Sequence, residues 1–337
     1  MMKSSFFKDK KVLIAGGTGL IGAHLSNKLE LLGANVTSAS IDSEERVNKV
    51  LNNPKLFKYL DFRNYEECIK ASKDKDIVIN LMGIRESTQL GIKKSASAMS
   101  NFLICNTNLV SSSFENKIKS YLFCGSINQY PPLPLRKEDQ VWDGLPSAND
   151  KYVGVAKRVG EMQAEAFSLQ YQSDIIKIVR PSNVYGPFDN FNPETAHVIP
   201  SLIYKFHNSS NKKINVAGDG SAIRDFIYID DLIDGIILVL EKGKNNYPYN
   251  LGYGQGTSIK KIVNEIKNIL NPNLNIIWNN SLNSGDSERV LDIQRAKKGI
   301  SFSPKISIDK GLRITIDWFI KNQELAYKLG RTYDKKN

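Results

Sequence analysis

Short apolar runs rich in β-branched residues alternate with longer amphipathic segments through the first half of the chain. The short runs have the composition of buried strands, and the longer segments have the length and periodicity of helices. The pattern predicts strands over Lys11–Ala15, Asn35–Ser40, Lys55–Leu60, Ile77–Leu81, Ser120–Cys124 and Ile175–Val179. It predicts helices over Ala23–Leu32, Tyr65–Ser72, Phe102–Asn116 and Lys157–Tyr171. Such an alternation is typical of an α/β fold with a doubly wound parallel sheet.

After Arg180 the alternation breaks, and prolines punctuate an irregular stretch. We predict helices over Ser201–Asn208, Leu232–Leu240 and Ile259–Leu270, and strands over Ile214–Ala217 and Phe226–Ile229. Asp230-Asp231 and Ser258 are predicted to cap the second and third of these helices. We divide the chain into a sheet domain, residues 1–180 with about 224–242, and a smaller α/β lid, residues 181–223 and 243–330, followed by a tail over 331–337.

A spaced glycine triplet lies between the first strand and the first helix. Gly16 allows a tight turn, Gly19 lets the backbone approach a ligand, and Gly22 lets the helix pack on the strand. The helix N-terminus then offers free N–H groups to a pyrophosphate. This context predicts a dinucleotide site, whose expected contacts are Gly16, Thr18, Gly19, Leu20, Ile21 and Gly22.

The second strand leaves the choice between NAD and NADP open. An acidic residue at its end would bind the ribose hydroxyls of NAD, but Ser40 stands there, and Asp42 follows two residues later. Asp42 either serves as a displaced ribose acceptor or caps a turn. NADP would require a nearby cation, and the first arginine is Arg46. Further cofactor contacts are expected after the third and fourth strands, at Asp61, Phe62, Leu81, Met82 and Gly83.

Composition excludes several functions. The formal net charge is +11, but the lysines are scattered, so we predict an anionic small ligand and no nucleic acid. No stretch of about 18 apolar residues occurs, which predicts no membrane association. The three widely spaced cysteines predict reduced thiols, a cytoplasmic location and no metal site.

Five motifs in order along the chain carry a resemblance to a known family. They are Gly16-x-x-Gly19-x-x-Gly22, Gly125-Ser126, Tyr152 near Lys157, Arg180-Pro181-Ser182-Asn183-Val184-Tyr185-Gly186-Pro187, and Arg224-Asp225-Phe226-Ile227-Tyr228-Ile229-Asp230-Asp231. Together they resemble an extended short-chain dehydrogenase/reductase of the NAD-dependent epimerase/dehydratase family, over essentially the whole chain. The resemblance implies a Rossmann fold with a C-terminal lid that binds a nucleotide sugar. A narrower likeness, to GDP-L-fucose synthases, is carried by Asp189-Asn190-Phe191-Asn192-Pro193-Glu194 and His197-Val198-Ile199-Pro200-Ser201-Leu202.

The resemblance implies a hydride transfer in which Ser126, Tyr152 and Lys157 assist. A lysine cation lowers the pKa of a tyrosine, and a serine hydroxyl hydrogen-bonds the reacting oxygen. The family spaces tyrosine and lysine four residues apart, whereas Tyr152 and Lys157 are five apart, and Val153 occupies the expected position. A π-bulge in the helix would restore the pairing. Otherwise Tyr152 only packs, and its acid/base role is lost.

The epimerase residues that the resemblance implies are incomplete. A histidine matches His197, but Asn128 stands where these synthases have a cysteine, and an amide cannot exchange a proton at neutral pH. Substrate contacts implied by the likeness are Asn128, Asn183, His197, Lys205, Arg224 and Arg289. The ligand is expected to be a nucleotide-diphosphate sugar, GDP-linked by the likeness alone, and the likeness also implies a homodimer.

Three functions remain open from the sequence. The first is reduction of a GDP-4-keto sugar at C4 by NAD(P)H, with or without epimerisation. The second, motivated by Asn128, is an NAD-dependent C4 dehydrogenase or C4 epimerase acting on a nucleotide sugar. The third is a non-catalytic regulator that binds a dinucleotide and whose tyrosine is out of register.

Overall fold

The computed structural model of the protein describes residues 5–83, 95–193, 195–209, 213–279 and 285–329. The strands are β1 Lys11–Ala15, β2 Asn35–Ser40, β3 Phe57–Tyr59, β4 Ile77–Asn80, β5 Ser120–Cys124, β6 Leu135–Arg136, β7 Ile176–Pro181, β8 Asn183–Tyr185, β9 Lys213–Ala217, β10 Ile223–Tyr228, β11 Pro248–Leu251, β12 Gly256–Ser258, β13 Asn275–Asn279 and β14 Glu288–Leu291. The α-helices are α1 Leu20–Leu31, α2 Glu44–Val50, α3 Tyr65–Ser72, α4 Ser95–Glu115, α5 Lys151–Gln170, α6 Val198–His207, α7 Ile229–Lys242, α8 Ile259–Leu270, α9 Gln294–Ile300, α10 Ile308–Lys321 and α11 Gln323–Leu329.

A seven-stranded sheet forms the centre of the molecule. Its order is β11-β7-β5-β4-β1-β2-β3, and every neighbouring pair is parallel. Helices α1 and α7 pack together on one face, and α3, α4 and α5 pack on the other. The predicted doubly wound parallel sheet is therefore confirmed.

Strand β1 shows why the sheet needs helices on both faces. Val12 and Ile14 belong to one hydrophobic cluster, whereas Leu13 and Ala15 belong to the cluster on the opposite face. All four side chains are fully buried. Because successive residues of a strand point to opposite faces, an uninterrupted apolar run requires apolar cover on both sides.

The second region contains the smaller sheets. One has the order β12-β10-β14-β6 with β8 paired to β10, and β9 pairs with β13 in a two-stranded sheet. The domain division stays a prediction, but two elements differ from it. Strand β11 lies in the predicted lid yet forms the edge of the large sheet, and β10 pairs with the strands of the second region.

Local capping partly matches the sequence analysis. The Ser258 side chain accepts a hydrogen bond from the Lys261 N–H, which confirms the predicted cap of α8. The predicted Asp230-Asp231 cap is wrong, because α7 already begins at Ile229 and no side chain caps it. The Asp231 carboxylate instead accepts from the backbone N–H groups of Lys305, at 3.0 Å, and Ile306, at 2.8 Å.

Within the described segments, no helix combines the length and apolar character that crossing a membrane requires. The predicted tail over 331–337 lies outside the described residues.

Candidate active site

A cleft of about 330 Å³ runs along the carboxyl ends of the parallel strands and is closed on its far side by the second region. The predicted site residues that line it are Gly16, Leu20, Ile21, Gly22, Leu81, Gly83, Ser126, Asn128, Lys157, Asn183, His197 and Arg224. The fold thus brings predicted cofactor residues and predicted substrate residues together in one cleft. The position agrees with the rule that open parallel sheets bind ligands beyond the carboxyl ends of their strands.

The glycine turn between β1 and α1 fits a dinucleotide. Gly16 has a φ of 81°, a conformation that glycine adopts without strain, and a Cβ at Gly22 would lie 2.2 Å from the Gly16 carbonyl oxygen. No side chain caps α1 at Gly19, and its first turn carries no acidic residue. This turn lines the cleft, so its N–H groups and the helix dipole are available to a diphosphate.

Three predicted cofactor residues meet at the end of β2. The Thr18 hydroxyl hydrogen-bonds the Ser40 hydroxyl at 2.7 Å and also donates to the Asp42 carboxylate. Arg46 lies 3.5 Å from the Asp42 carboxylate and donates to the Thr18 carbonyl at 3.0 Å and to the Leu329 carbonyl at 2.8 Å. Arg46 lines the cleft itself, and the sequence analysis did not assign it to the site. Its position four residues after Asp42, in the first turn of α2, is the signal that could have identified it.

The lining of the cleft does not include Thr18, Gly19, Ser40 and Asp42 around the glycine turn, nor the predicted cofactor residues Asp61, Phe62 and Met82. The Asp61 carboxylate is taken by Arg63, whose Nε lies 3.0 Å away, and Phe62 is buried in the core. Met82 also lies outside the lining, but its carbonyl oxygen accepts a hydrogen bond from Lys157.

Lys157 is anchored at the floor of the cleft. Its Nζ donates to the Met82 carbonyl at 2.8 Å, two residues after β4, and to the Cys124 carbonyl at 2.7 Å, at the last residue of β5. The rings of Phe102 and Phe123 lie 4.8 and 5.4 Å from the same nitrogen. Burial in this apolar setting lowers the pKa of Lys157 to about 8.

Tyr152 does not reach the cleft. Helix α5 is a regular α-helix from Lys151 to Gln170, so the alternative of a π-bulge that restores the pairing of Tyr152 with Lys157 is wrong. Five residues on such a helix place Tyr152 about 140° around the axis from Lys157. Its side chain is 47% exposed. Val153, four residues before Lys157, lines the cleft in its place.

Ser126 is held in place by a short 3₁₀ helix over Ile127–Gln129. Its hydroxyl accepts a hydrogen bond from the Asn128 N–H at 3.2 Å, and its own N–H donates to the Gln129 amide oxygen at 2.7 Å. Gln129 in turn donates to the Glu161 carboxylate at 3.0 Å. A hydroxyl that accepts a hydrogen bond still has its own hydrogen to offer to a substrate oxygen.

The opposite wall contains Asn183, His197 and Arg224. The Asn183 amide donates to the Asp225 carbonyl at 2.7 Å, which fixes its orientation. His197 is exposed at the N-terminus of α6. Burial, followed by repulsion from Arg289, lowers the pKa of Arg224 to about 10. An anion in the cleft would therefore relieve an unfavourable positive charge at Arg224.

Two predicted substrate cations lie outside the cleft lining. Arg289 is 2.6 Å from the Asp150 carboxylate and 2.9 Å from that of Asp286, so its charge is already compensated. Lys205 is exposed on α6. Asp286 lies three residues before Arg289, but Asp150 lies 139 positions away, which is why the sequence position of Arg289 alone did not identify this pairing.

Among the described residues, no three His, Cys, Asp or Glu side chains are grouped as a metal site would require.

Comparisons with known proteins agree with this geometry. Residues 12–252 match the NAD dependent epimerase/dehydratase family. GDP-L-fucose synthase 1 of Arabidopsis thaliana is 27% identical over 325 residues, which cover 94% of both chains. A dTDP-4-dehydro-6-deoxy-D-allose reductase of a Streptomyces species is 26% identical over 329 residues, covering 94% of this chain and 98% of the relative. The crystal structure of UDP-glucose 4-epimerase from Thermotoga maritima, with UDP-glucose, superposes with a TM-score of 0.81 at 25% identity, covering 93% of this chain and 99% of that one. The chain therefore belongs to the NAD dependent epimerase/dehydratase family and is an NAD(P)-dependent nucleotide-sugar enzyme of the short-chain dehydrogenase/reductase type.

Proposed function

We propose that the protein reduces a GDP-linked 4-keto sugar at C4 with NAD(P)H. The observation that carries the proposal is that one cleft joins the glycine turn to Ser126 and Lys157 on one side and to Asn183 and Arg224 on the other. A nucleotide-linked keto sugar needs both walls, because its carbonyl group would contact the first wall and its diphosphate would contact the second. The GDP moiety and the 4-keto group are supported by the likeness to GDP-L-fucose synthases.

Each wall has a definite task in this reaction. When bound, the cofactor supplies the hydride, and the turn from Gly16 to Gly22 holds its diphosphate through backbone N–H groups. Ser126 donates a hydrogen bond to the sugar carbonyl oxygen and so stabilises the negative charge that develops there. Arg224 pairs with the diphosphate of the substrate, and Asn183 orients the sugar. Lys205 and Arg289 are not assigned a contact, because one is exposed and the other is paired with carboxylates.

His197 and Asn128 limit what else the site can do. His197 can exchange a proton near neutral pH, whereas the Asn128 amide cannot. Of the two positions at which the synthases have a cysteine and a histidine, only His197 has an exchangeable proton, which supports proton exchange at one sugar carbon and not at two. We therefore propose simple reduction, or reduction with epimerisation at a single centre.

A second candidate function is favoured by the same asparagine. A C4 epimerase or C4 dehydrogenase needs hydride transfer at C4 and no proton exchange at neighbouring carbons, and Asn128 lines the cleft where it would contact the sugar. The relative from Thermotoga maritima is such a C4 epimerase. A third candidate, a regulator without catalysis, is favoured by the exposed Tyr152.

The cofactor preference depends on Asp42 and Arg46. Asp42 would accept the ribose hydroxyls of NAD, and Arg46 would pair with the 2′-phosphate of NADP. The two side chains form an ion pair, so either cofactor would have to exchange that pairing for its own, and the pairing favours neither cofactor. Titration of the protein with NADH and NADPH, followed by cofactor fluorescence, measures the preference directly.

The homodimer and the cytoplasmic location stay predictions. The dimer is supported by Ile104 on α4 and by Met162 and Leu169 on α5, which are 46%, 52% and 71% exposed. Burial of these side chains against a second copy would remove apolar surface from water. Light scattering on the wild type and on Met162→Glu tests this: the substitution should shift a dimer towards the monomer.

The experiment that tests the proposed function incubates the protein with GDP-, UDP- and dTDP-linked 4-keto sugars and reduced cofactor. Oxidation of NAD(P)H with a GDP-4-keto sugar supports the reductase. Reduction of NAD⁺ by an unmodified nucleotide sugar, or its conversion to the C4 epimer, supports the second candidate. Tight cofactor binding without turnover of any sugar supports the regulator and contradicts both enzymes.

A further inference from the structure

We propose that Lys157 itself donates the proton to the sugar oxygen during hydride transfer, a task that the resemblance gives to a tyrosine. This inference rests on the proposed reductase function and deepens it. It starts from the finding that the tyrosine of the motif lies outside the cleft, with Val153 on the face of α5 that points towards the reacting groups.

The position of Lys157 suits a proton donor. An ammonium group has three N–H bonds, and two of them are used by the carbonyl oxygens of Met82 and Cys124. Lys157 lines the cleft, and its acceptor Cys124 lies two residues before Ser126, the hydroxyl assigned to the sugar oxygen. One N–H bond of the ammonium group thus remains for a group in the cleft, whose lining also includes Ser126.

The other titratable groups of the described lining suit the task less well. They are Arg46, Cys124, Tyr185, Asp189, His197 and Arg224. Arginine holds its protons too tightly to act as an acid. Burial raises the pKa of Cys124 and of Tyr185, which makes each a weaker acid. Asp189 is buried, and its carboxyl group accepts a hydrogen bond from the Asn190 N–H at 2.7 Å. Asp189 and His197 are therefore the rivals, and both belong to the second region, which forms the opposite wall of the cleft.

The surroundings also favour loss of a proton from Lys157. Phe102 packs from α4 and Phe123 from β5, and burial among them lowers the pKa of the lysine, whereas the neighbouring Cys124 thiol acts in the opposite direction with a smaller effect. Glu161, one turn further along α5, is paired with Arg180 and does not stabilise the ammonium ion. Burial without a carboxylate partner favours the neutral amine, which brings the group into the range where it can give up a proton near neutrality.

The step is balanced with the reactants named. The sugar carbonyl carbon receives a hydride, with its electron pair, from the reduced nicotinamide, and the C=O double bond becomes a single bond. The carbonyl oxygen takes a proton from the Lys157 ammonium group, which becomes a neutral amine. Water in the open cleft then returns a proton to the amine. Overall, ketone, NAD(P)H and one proton give alcohol and NAD(P)⁺.

The first test needs no substrate. The protein is labelled with ¹³C at the lysine ε-carbon, and the signal of Lys157 is assigned by its loss in Lys157→Arg. We expect this signal to titrate near pH 8 in the wild type. A midpoint above about pH 10, as in free lysine, would overturn the proposal whether or not a sugar substrate has been found.

The second test uses turnover of the keto sugar by the wild type and by Lys157→Ala. The wild-type kcat should fall tenfold per pH unit above about pH 8, because the acid must be protonated. Lys157→Ala should lose at least 100-fold in kcat and regain activity with added methylamine, and rescue by different primary amines should depend on their pKa. Tetramethylammonium has the charge without a transferable proton, so it should not rescue.

Three outcomes would contradict the role of Lys157. The first is equal rescue by tetramethylammonium, which would make the lysine a positioning charge. The second is that Lys157→Arg keeps a kcat above a tenth of the wild-type value together with the fall of kcat at alkaline pH. The third is that this alkaline fall of kcat disappears in His197→Gln but not in Lys157→Arg. The dissociation constant of NAD(P)H, measured by fluorescence for each variant, separates these results from loss of cofactor binding. If the wild type turns over no keto sugar, the proposed function fails, while the carbon titration still decides the state of Lys157.

Discussion

Replacing Glu161 by glutamine removes one charge from a buried pair that supports the active-site serine. Arg180 is 2% exposed, and its Nε donates to the Glu161 carboxylate at 3.1 Å while a second nitrogen contacts the other carboxylate oxygen. The remaining acceptors of the guanidinium group, the Tyr130 hydroxyl at 2.9 Å and the Glu138 carbonyl at 2.7 Å, are neutral. Glu161→Gln therefore leaves a buried cation without its paired charge.

The magnitude follows from this burial. Breaking a buried pair by removing one partner costs about 3–5 kcal/mol of the free energy of unfolding, mostly as the penalty of the uncompensated charge. In Glu161→Gln we expect a loss near the lower end of that range, because the carboxylate is 15% exposed. Since Glu161 also accepts from Gln129, which fixes the Ser126 backbone, kcat should fall as well.

The assay is urea unfolding monitored by circular dichroism, with Glu165→Gln as the matched control. Glu165 lies one turn later on the exposed face of α5, and its change should stay within about 0.5 kcal/mol. The double variant Arg180→Met, Glu161→Gln should lose about 1 kcal/mol less than the sum of the two single changes, because no unpaired charge remains. A loss below 1 kcal/mol in Glu161→Gln would refute the reasoning, since the pair would then be solvated.

Three further predictions follow from the geometry. Gly22→Ala should raise the dissociation constant of NAD(P)H at least tenfold, measured by cofactor fluorescence, because its Cβ would lie 2.2 Å from the Gly16 carbonyl oxygen; unchanged binding would mean that the turn relaxes. Burial raises the pKa of Asp225 to about 6, so ionisation of this group should cost the folded state about 3 kcal/mol as the pH rises from about 4 to 6, and nothing below that window. The free energy of unfolding in urea should therefore differ between wild type and Asp225→Asn by an amount that changes from about pH 4 to pH 6. A difference that does not change with pH would contradict the burial argument. Tyr152→Phe should keep kcat within threefold and leave the pH profile unchanged in the reductase assay, because the side chain is 47% exposed outside the cleft; a hundredfold loss would return the acid role to the tyrosine.

The sheet and its strands were predictable because their signals are local. Strands β1, β2 and β5 begin and end at the predicted residues. In β1 and β5 the apolar run is buried against hydrophobic clusters on both faces of the sheet. The glycine turn was predictable for the same reason. Its chemistry depends on backbone conformation between a strand and a helix that are adjacent in the chain.

The residues that the sequence analysis misplaced depend on distant partners. The first turn of α5 has no apolar periodicity, so its start at Lys151, and with it the orientation of Tyr152, was not predicted. Arg289 has the residue type of a phosphate ligand, but Asp150, 139 positions away, neutralises it. Asp231 similarly bonds a loop 74 positions away instead of capping its helix. Such pairings follow from tertiary structure, and nothing local specifies them.

The hydrogen bond from Arg46 to the Leu329 carbonyl joins residues 283 positions apart, and both line the cleft. A contact this distant in sequence forms only after most of the chain has folded, because closing so large a loop costs entropy that other contacts must first repay. We therefore expect the side of the cleft next to the first strand to be completed late during folding. The protein should gain its full affinity for the dinucleotide only as α11 docks, so cofactor binding reports on completion of the whole fold.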